Sequence, residues 1–145
     1  MSNYYISSDH NKLDIERVWL LLKDCFLSKN IPIECVEKFV QHSLCFGAYM
    51  AVNDQLVGFG RVISDFTTYA YVCDVIIDEG HRHHGLATKI LDAMFLHPSL
   101  QNLKTWSLKT TDEARKIYQK KGFRVVAPAE SQLELDDLGI YFKGK

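Results

Sequence analysis

The sequence has no excess of charge of either sign: 17 Lys and Arg stand against 18 Asp and Glu, a formal net charge of −1. That balance removes the basic footprint expected of a nucleic-acid binder or of a protein held on an anionic membrane. No run approaches the roughly 20 apolar residues needed to cross a bilayer. Met1-Ser2-Asn3-Tyr4-Tyr5 lacks a basic stretch followed by an apolar one, so no secretory leader is expected and a cytoplasmic location is the expectation. The four cysteines, Cys25, Cys35, Cys45 and Cys73, form no Cys-x-x-Cys pair and sit among apolar neighbours. Buried free thiols are therefore expected, not a disulfide framework. There is no His-Glu-x-x-His, and His81-x-His83-His84 has no carboxylate or cysteine at zinc-like spacing, so no metal site is expected. The Gly-x-x-x-x-Gly-Lys-[Ser/Thr] loop of nucleotide-binding folds is absent as well. With three scattered prolines and no repeat or linker, residues 1–145 are expected to form a single domain.

What is present has a clear order. Tyr4–Ser7 predicts a short strand. From Leu13 to Leu27 the residues Ile15, Val18, Trp19, Leu22, Cys25 and Phe26 recur at three- and four-residue steps, which predicts an amphipathic helix. Pro32 opens a second, carrying Ile33, Val36, Phe39 and Val40. Leu44–Val52, Gln55–Ser64 and Thr68–Ile77 read as three strands of an antiparallel meander, the first two joined by Asn53-Asp54. A helix from Leu86, a strand over Leu103–Leu108 and a helix over Asp112–Lys121 closed by Gly122 follow, with final strands expected at Phe123–Val126 and Leu138–Phe142. The expected fold is mixed α/β (α+β), a mainly antiparallel central sheet flanked by helices.

The chemistry concentrates where the third meander strand runs through a turn into a helix, Val75-Ile76-Ile77-Asp78-Glu79-Gly80-His81-Arg82-His83-His84-Gly85-Leu86-Ala87-Thr88. The first turn of a helix leaves main-chain N–H groups without partners, and the helix dipole is positive there, so the turn is an anion site. Gly85 admits a close approach to the backbone, Ala87 keeps the next position narrow, and Thr88 and Arg82 add a hydroxyl and a cation. The natural guest is a pyrophosphate.

Strand, Arg82-x-x-Gly85-x-Ala87, then helix resembles the acetyl-coenzyme A signature of the GNAT superfamily of N-acetyltransferases. Ala114-x-x-x-Tyr118-x-x-x-Gly122-Phe123 is similar to a second element of that family, and Cys45-Phe46-Gly47, Val57-Gly58-Phe59-Gly60-Arg61-Val62 and Asp74-Val75 match the pattern of a group of short single-domain members. Two positions depart: Glu79 stands where the family often has proline, and Thr111 where it often has a cofactor-contacting asparagine. The resemblance implies acetyl-CoA as cosubstrate and direct attack of an amine on the thioester. It also implies cofactor contacts along Val75, Ile76 and Ile77 and across Arg82, His83, His84, Gly85, Leu86, Ala87 and Thr88. Tyr118 takes the place of the acid that protonates the leaving thiolate.

The attacking amine must also lose a proton. Asp74, a carboxylate interrupting Val72-Cys73-Asp74-Val75-Ile76, is the first candidate for base or amine contact, with Asp65 or water in reserve and a structural ion pair the alternative. Tyr69, Tyr71, Phe66 and Trp19 wall an acceptor pocket or pack the core, and Arg61 pairs with an acidic substrate group or with a neighbour. The acceptor is a small-molecule or peptide amine of unread identity. A homodimer through a sheet edge is left open, and a non-catalytic acyl-CoA-binding module is the competing function.

Overall fold

The computed structural model describes residues 2–143. In chain order the elements are β1 (Tyr4–Ser7), α1 (Ile15–Leu22), α2 (Ile33–Phe39), β2 (Leu44–Met50), β3 (Leu56–Ser64), β4 (Tyr69–Ile77), α3 (Leu86–Leu96), β5 (Thr105–Leu108) and α4 (Arg115–Lys120), with short 3-10 turns between them. The strands form one sheet in the order β1-β2-β3-β4-β5. β1 to β4 pair antiparallel and β4 pairs parallel with β5, as expected of a mainly antiparallel sheet.

Helices cover both faces, so β2 and β3 are apolar along most of their length rather than alternating. On one face Phe46, Val62 and Val72 pack under Ile90, Leu91 and Met94 of α3. On the other, Phe59, Leu56 and Tyr49 pack under Val18 and Leu22 of α1 and Val36 of α2. Gly60 lets α3 seat closely: a Cβ there would come within 3.0 Å of Ile90 and Met94.

Two differences from the sequence expectation have local causes. The first helix is capped at its start by the Asp14 side chain, which accepts from Arg17 N–H, but it ends at Leu22 rather than Leu27. There the chain folds back: Ser28 Oγ donates to Leu22 O (2.6 Å), Asn30 N–H bonds Lys23 O, and Asn30 takes φ 65°. Phe26 and Leu27 consequently leave the helical stripe and are exposed. The strands expected at Phe123–Val126 and Leu138–Phe142 are not formed; the first segment is irregular and the second contains a 3-10 turn, Ile140–Phe142. Their Val, Ile and aromatic content favours a pleated, half-buried surface, but Val125 and Leu138 are exposed and join no ladder.

β4 carries the irregularity that matters. Its pairing with β3 jumps from Phe59↔Ile76 to Arg61↔Cys73, so Asp74 and Val75 together oppose Gly60. This is a β-bulge, the device that redirects a side chain next to a site. Asp74 stands there with φ 57°. On its other side β4 pairs with β5 only as far as Val72↔Leu108, where β5 ends.

Candidate active site

The turn into α3 is tied by two main-chain bonds and one from the Arg82 side chain. Asp78 N–H bonds Val57 O at 2.8 Å, His81 N–H bonds Asp78 O at 2.8 Å, and Arg82 Nε donates to Ile77 O at 3.1 Å. Gly85 then takes φ 71° and caps α3 without a side-chain bond. A Cβ on Gly85 would meet no atom within 4 Å, so the backbone conformation, not crowding, selects glycine here. His83 also has positive φ, 67°. The N–H groups of His83, His84, Gly85, Leu86, Ala87 and Thr88 meet no acceptor among the described residues. Unbonded donors at the positive end of a helix form an anion cradle.

That cradle opens into a groove of about 440 Å³ lined by Val75, Ile76 and Ile77, by residues from His81 to Thr88, and by Cys25 and Ile117. Of the residues proposed for the cofactor, all but His84 line it. The His84 ring instead lies 5.5 Å from the ring of Tyr4, whose hydroxyl shares a hydrogen bond with His81 Nδ1 at 2.9 Å. Because β5 ends opposite Val72, the outer main-chain edge of Val75–Ile77 pairs with no strand. Cys25 was not anticipated at the groove. Nothing in its helical spacing signals that the chain breaks after Leu22 and brings it there.

Asp74 and Tyr118 do not line this groove. The Asp74 carboxylate is bound by Arg61, Nε to Oδ2 at 2.5 Å, with the two side chains only 16% and 21% exposed. Arg61 Nη1 donates to Ser43 Oγ at 2.9 Å, and the guanidinium lies 4.0 Å from the Phe39 ring centroid. Ser43 and Phe39 are absent from the sequence-derived candidates, since only the fold brings them to β3. Tyr118 borders a second cavity of about 1020 Å³, between β4, β5, α4 and the segment after Gly122, together with Tyr69 and Tyr71. Burial pushes its phenol above the usual value, and its hydroxyl has no hydrogen-bond partner among the described residues. Ile117 and Tyr118 thus present α4 to both spaces.

The other candidates separate by their contacts. Trp19 is tied into the α1–α2 layer through Nε1 to Ile31 O (2.9 Å), and Phe66 sits half exposed in the β3–β4 turn at φ 63°. Tyr69 bonds Ser107, and burial raises the Tyr71 phenol. Cys45 and Cys73 are both pushed up to about 12, burial being the first cause, so neither offers a thiolate for an acyl-enzyme. Among the described residues no group of three or more His, Cys, Asp or Glu is placed to hold a metal, and no helix is long and apolar enough to cross a membrane.

Asp65 is occupied by its own turn. It accepts from Thr68 Oγ1 and from the N–H groups of Thr67, Thr68 and Tyr69. The Thr68 hydroxyl and then these main-chain bonds hold the carboxyl well below the usual range. A depressed folded pKa contributes stability above the unfolded value of about 4, and loses it as pH falls further. Asp65→Asn is expected to lower the unfolding temperature at pH 7, with the gap to wild type narrowing between pH 4 and pH 2 in thermal melts.

Comparisons with known proteins bear on the family and the fold. A family model for the acetyltransferase (GNAT) domain matches residues 41–125. A solved structure from Xanthomonas campestris pv. campestris, described as an acetyltransferase of the GNAT family, is 37% identical, covers 97% of this chain and 98% of its own, and superposes with a TM-score of 0.89. A protein from Clostridium acetobutylicum, described as a predicted acetyltransferase and solved with acetyl-CoA, shares the fold at 19% identity, 94% and 96% coverage and TM-score 0.68. Glucosamine-6-phosphate N-acetyltransferase from Arabidopsis thaliana does so at 14% identity, 94% and 99% coverage and TM-score 0.68. No curated protein matches the chain.

Proposed function

Because the chain belongs to the GNAT family of acetyltransferases, we propose that it binds acetyl-CoA in the groove at the start of α3 and passes the acetyl group to a primary amine by direct attack. The supporting observation is the continuity of that groove. It is lined both by residues with unbonded N–H groups, His83 and Gly85 to Thr88, and by Val75–Ile77 with their free strand edge. A diphosphate fits the first and an extended amide-bearing arm fits the second, pairing as an added strand would. Arg82 lines the diphosphate end, its Nε anchored on Ile77 O.

In the proposed reaction the amine nitrogen bonds the acetyl carbonyl carbon, the carbon–sulfur bond breaks, and the thiolate takes a proton from Tyr118. The proton lost by the amine passes to Asp74 or to water. The acceptor is a small-molecule or peptide amine. The Asp74 carboxylate is held in place by Arg61, Nε to Oδ2 at 2.5 Å, which fixes its position for an incoming amine.

The test is release of free coenzyme A thiol from acetyl-CoA against a panel of amines, alongside thermal melts with coenzyme A. Amine-dependent thiol release is expected, with a rise in unfolding temperature that grows with coenzyme A concentration. No thiol release and no shift at millimolar coenzyme A would remove the proposal.

A further inference from the structure

The acceptor can be narrowed by the cluster at the β4 bulge. Arg61 is fixed on three sides, by Asp74 Oδ2, Ser43 Oγ and the face of Phe39. These bonds use two of the five N–H donors of a guanidinium. Among the described residues Arg61 Nη2 donates to nothing and Asp74 Oδ1 accepts from nothing. Both side chains are nevertheless largely withdrawn from water, at 16% and 21% exposure. A guanidinium and a carboxylate that serve only each other close best fork to fork, through two parallel bonds. This pair closes through one bond and leaves Arg61 Nη2 and Asp74 Oδ1 unpaired and in contact with solvent.

The geometry points to an acceptor that carries a carboxylate next to its amine, a free amino acid, whose carboxylate binds Arg61 Nη2 while its ammonium binds Asp74 Oδ1. The assignment rests on the acetyl-transfer reading and gives that reaction its substrate class. Asp74 directly precedes the groove-lining Val75 in the chain, although its own carboxylate faces Arg61 and does not line the groove. The stacked Phe39 ring and Ser43 keep the guanidinium from turning away when Asp74 shifts toward the ammonium. Cys45 and Cys73 pair across the sheet with Arg61 on its two sides and stay uncharged thiols, so they add no competing anion.

Thiol release from acetyl-CoA with the full chain and matched acceptors tests this. Each pair is an amino acid and its carboxamide, taken across aliphatic, aromatic, acidic and basic side chains, with spermidine and glucosamine as amines without a carboxylate. At least one amino acid is expected to exceed its carboxamide about tenfold or more in kcat/KM, the scale of one charge-assisted hydrogen bond in a poorly hydrated site. Arg61→Lys keeps the cation but loses the fork and should bring that ratio toward one. Ser43→Ala, which frees the guanidinium without removing it, should lower the ratio by a smaller factor. If Arg61→Lys does not fold, the wild-type ratio and Ser43→Ala decide the matter. A wild-type ratio near one in every pair, or fastest transfer to spermidine or glucosamine, overturns the amino-acid assignment and leaves acetyl transfer standing. Absence of turnover with every amine, together with absence of coenzyme A binding, overturns both.

Discussion

Gly85→Val is expected to weaken coenzyme A binding by about tenfold to a hundredfold, or about 1.4–2.8 kcal/mol, measured by calorimetry. Gly85 sits at φ 71° and caps α3. A β-branched residue is a steric outlier in that region, and even an unbranched side chain costs about 1–2 kcal/mol there. The surroundings of Gly85 are open, with nothing within 4 Å of an added Cβ, so no packing partner holds the strained conformation in place. The loop is therefore expected to relax to negative φ. In doing so it turns the N–H groups of Leu86 and Ala87 away from a common point, and the anion cradle is lost as a unit. Gly80→Ala supplies the contrast: its Cβ also meets nothing within 4 Å, but Gly80 has no positive φ and does not line the groove. It should bind coenzyme A as wild type does. Equal affinity of Gly85→Val and wild type would remove the diphosphate assignment from this turn.

The cradle was legible in the sequence because every part of it is local. A strand ending at Ile77, a polar turn and a glycine before an apolar helical period specify a helix start, and a helix start has free N–H groups whatever the rest of the fold does. The central strands were legible for a related reason, since Leu44–Met50, Leu56–Ser64 and Tyr69–Ile77 carry dense apolar and β-branched residues between turn signals. Features that depend on residues distant in sequence were not. Asp74 stood out only as an anomaly in an apolar strand. Its partner Arg61, 13 residues earlier, becomes its neighbour through the register of β3 on β4 and the extra residue in the bulge. Ser43 and Phe39 join them only because α2 packs across that register. The expected last strands illustrate the converse. Phe123–Val126 has strand-like residues, yet a strand exists only when another offers it a ladder, and composition cannot supply that partner.

Tyr118→Phe is expected to lower kcat by about a hundredfold or more, the contribution typical of a positioned general acid, while changing the KM for acetyl-CoA little. The substitution removes one oxygen atom. The ring keeps its place at the edge of the α3-side core, edge-on to Phe123 with centroids 6.0 Å apart. Because the hydroxyl has no hydrogen-bond partner among the described residues, its loss breaks no bond within the fold. Urea unfolding midpoints should therefore be nearly the same, so a fall in kcat cannot be assigned to a weakened protein. The pH dependence gives an independent reading. Burial raises the phenol above its ordinary value of about 10, and an acid works only while it holds its proton. Tyr118 therefore keeps its proton, and stays competent, throughout the neutral range. A basic limb in wild-type kcat between pH 7 and 9 must then come from another group and should persist in Tyr118→Phe. Retention of kcat within about threefold would show that the thiolate takes its proton elsewhere. It would leave Tyr118 as a packing residue at the edge of the larger cavity.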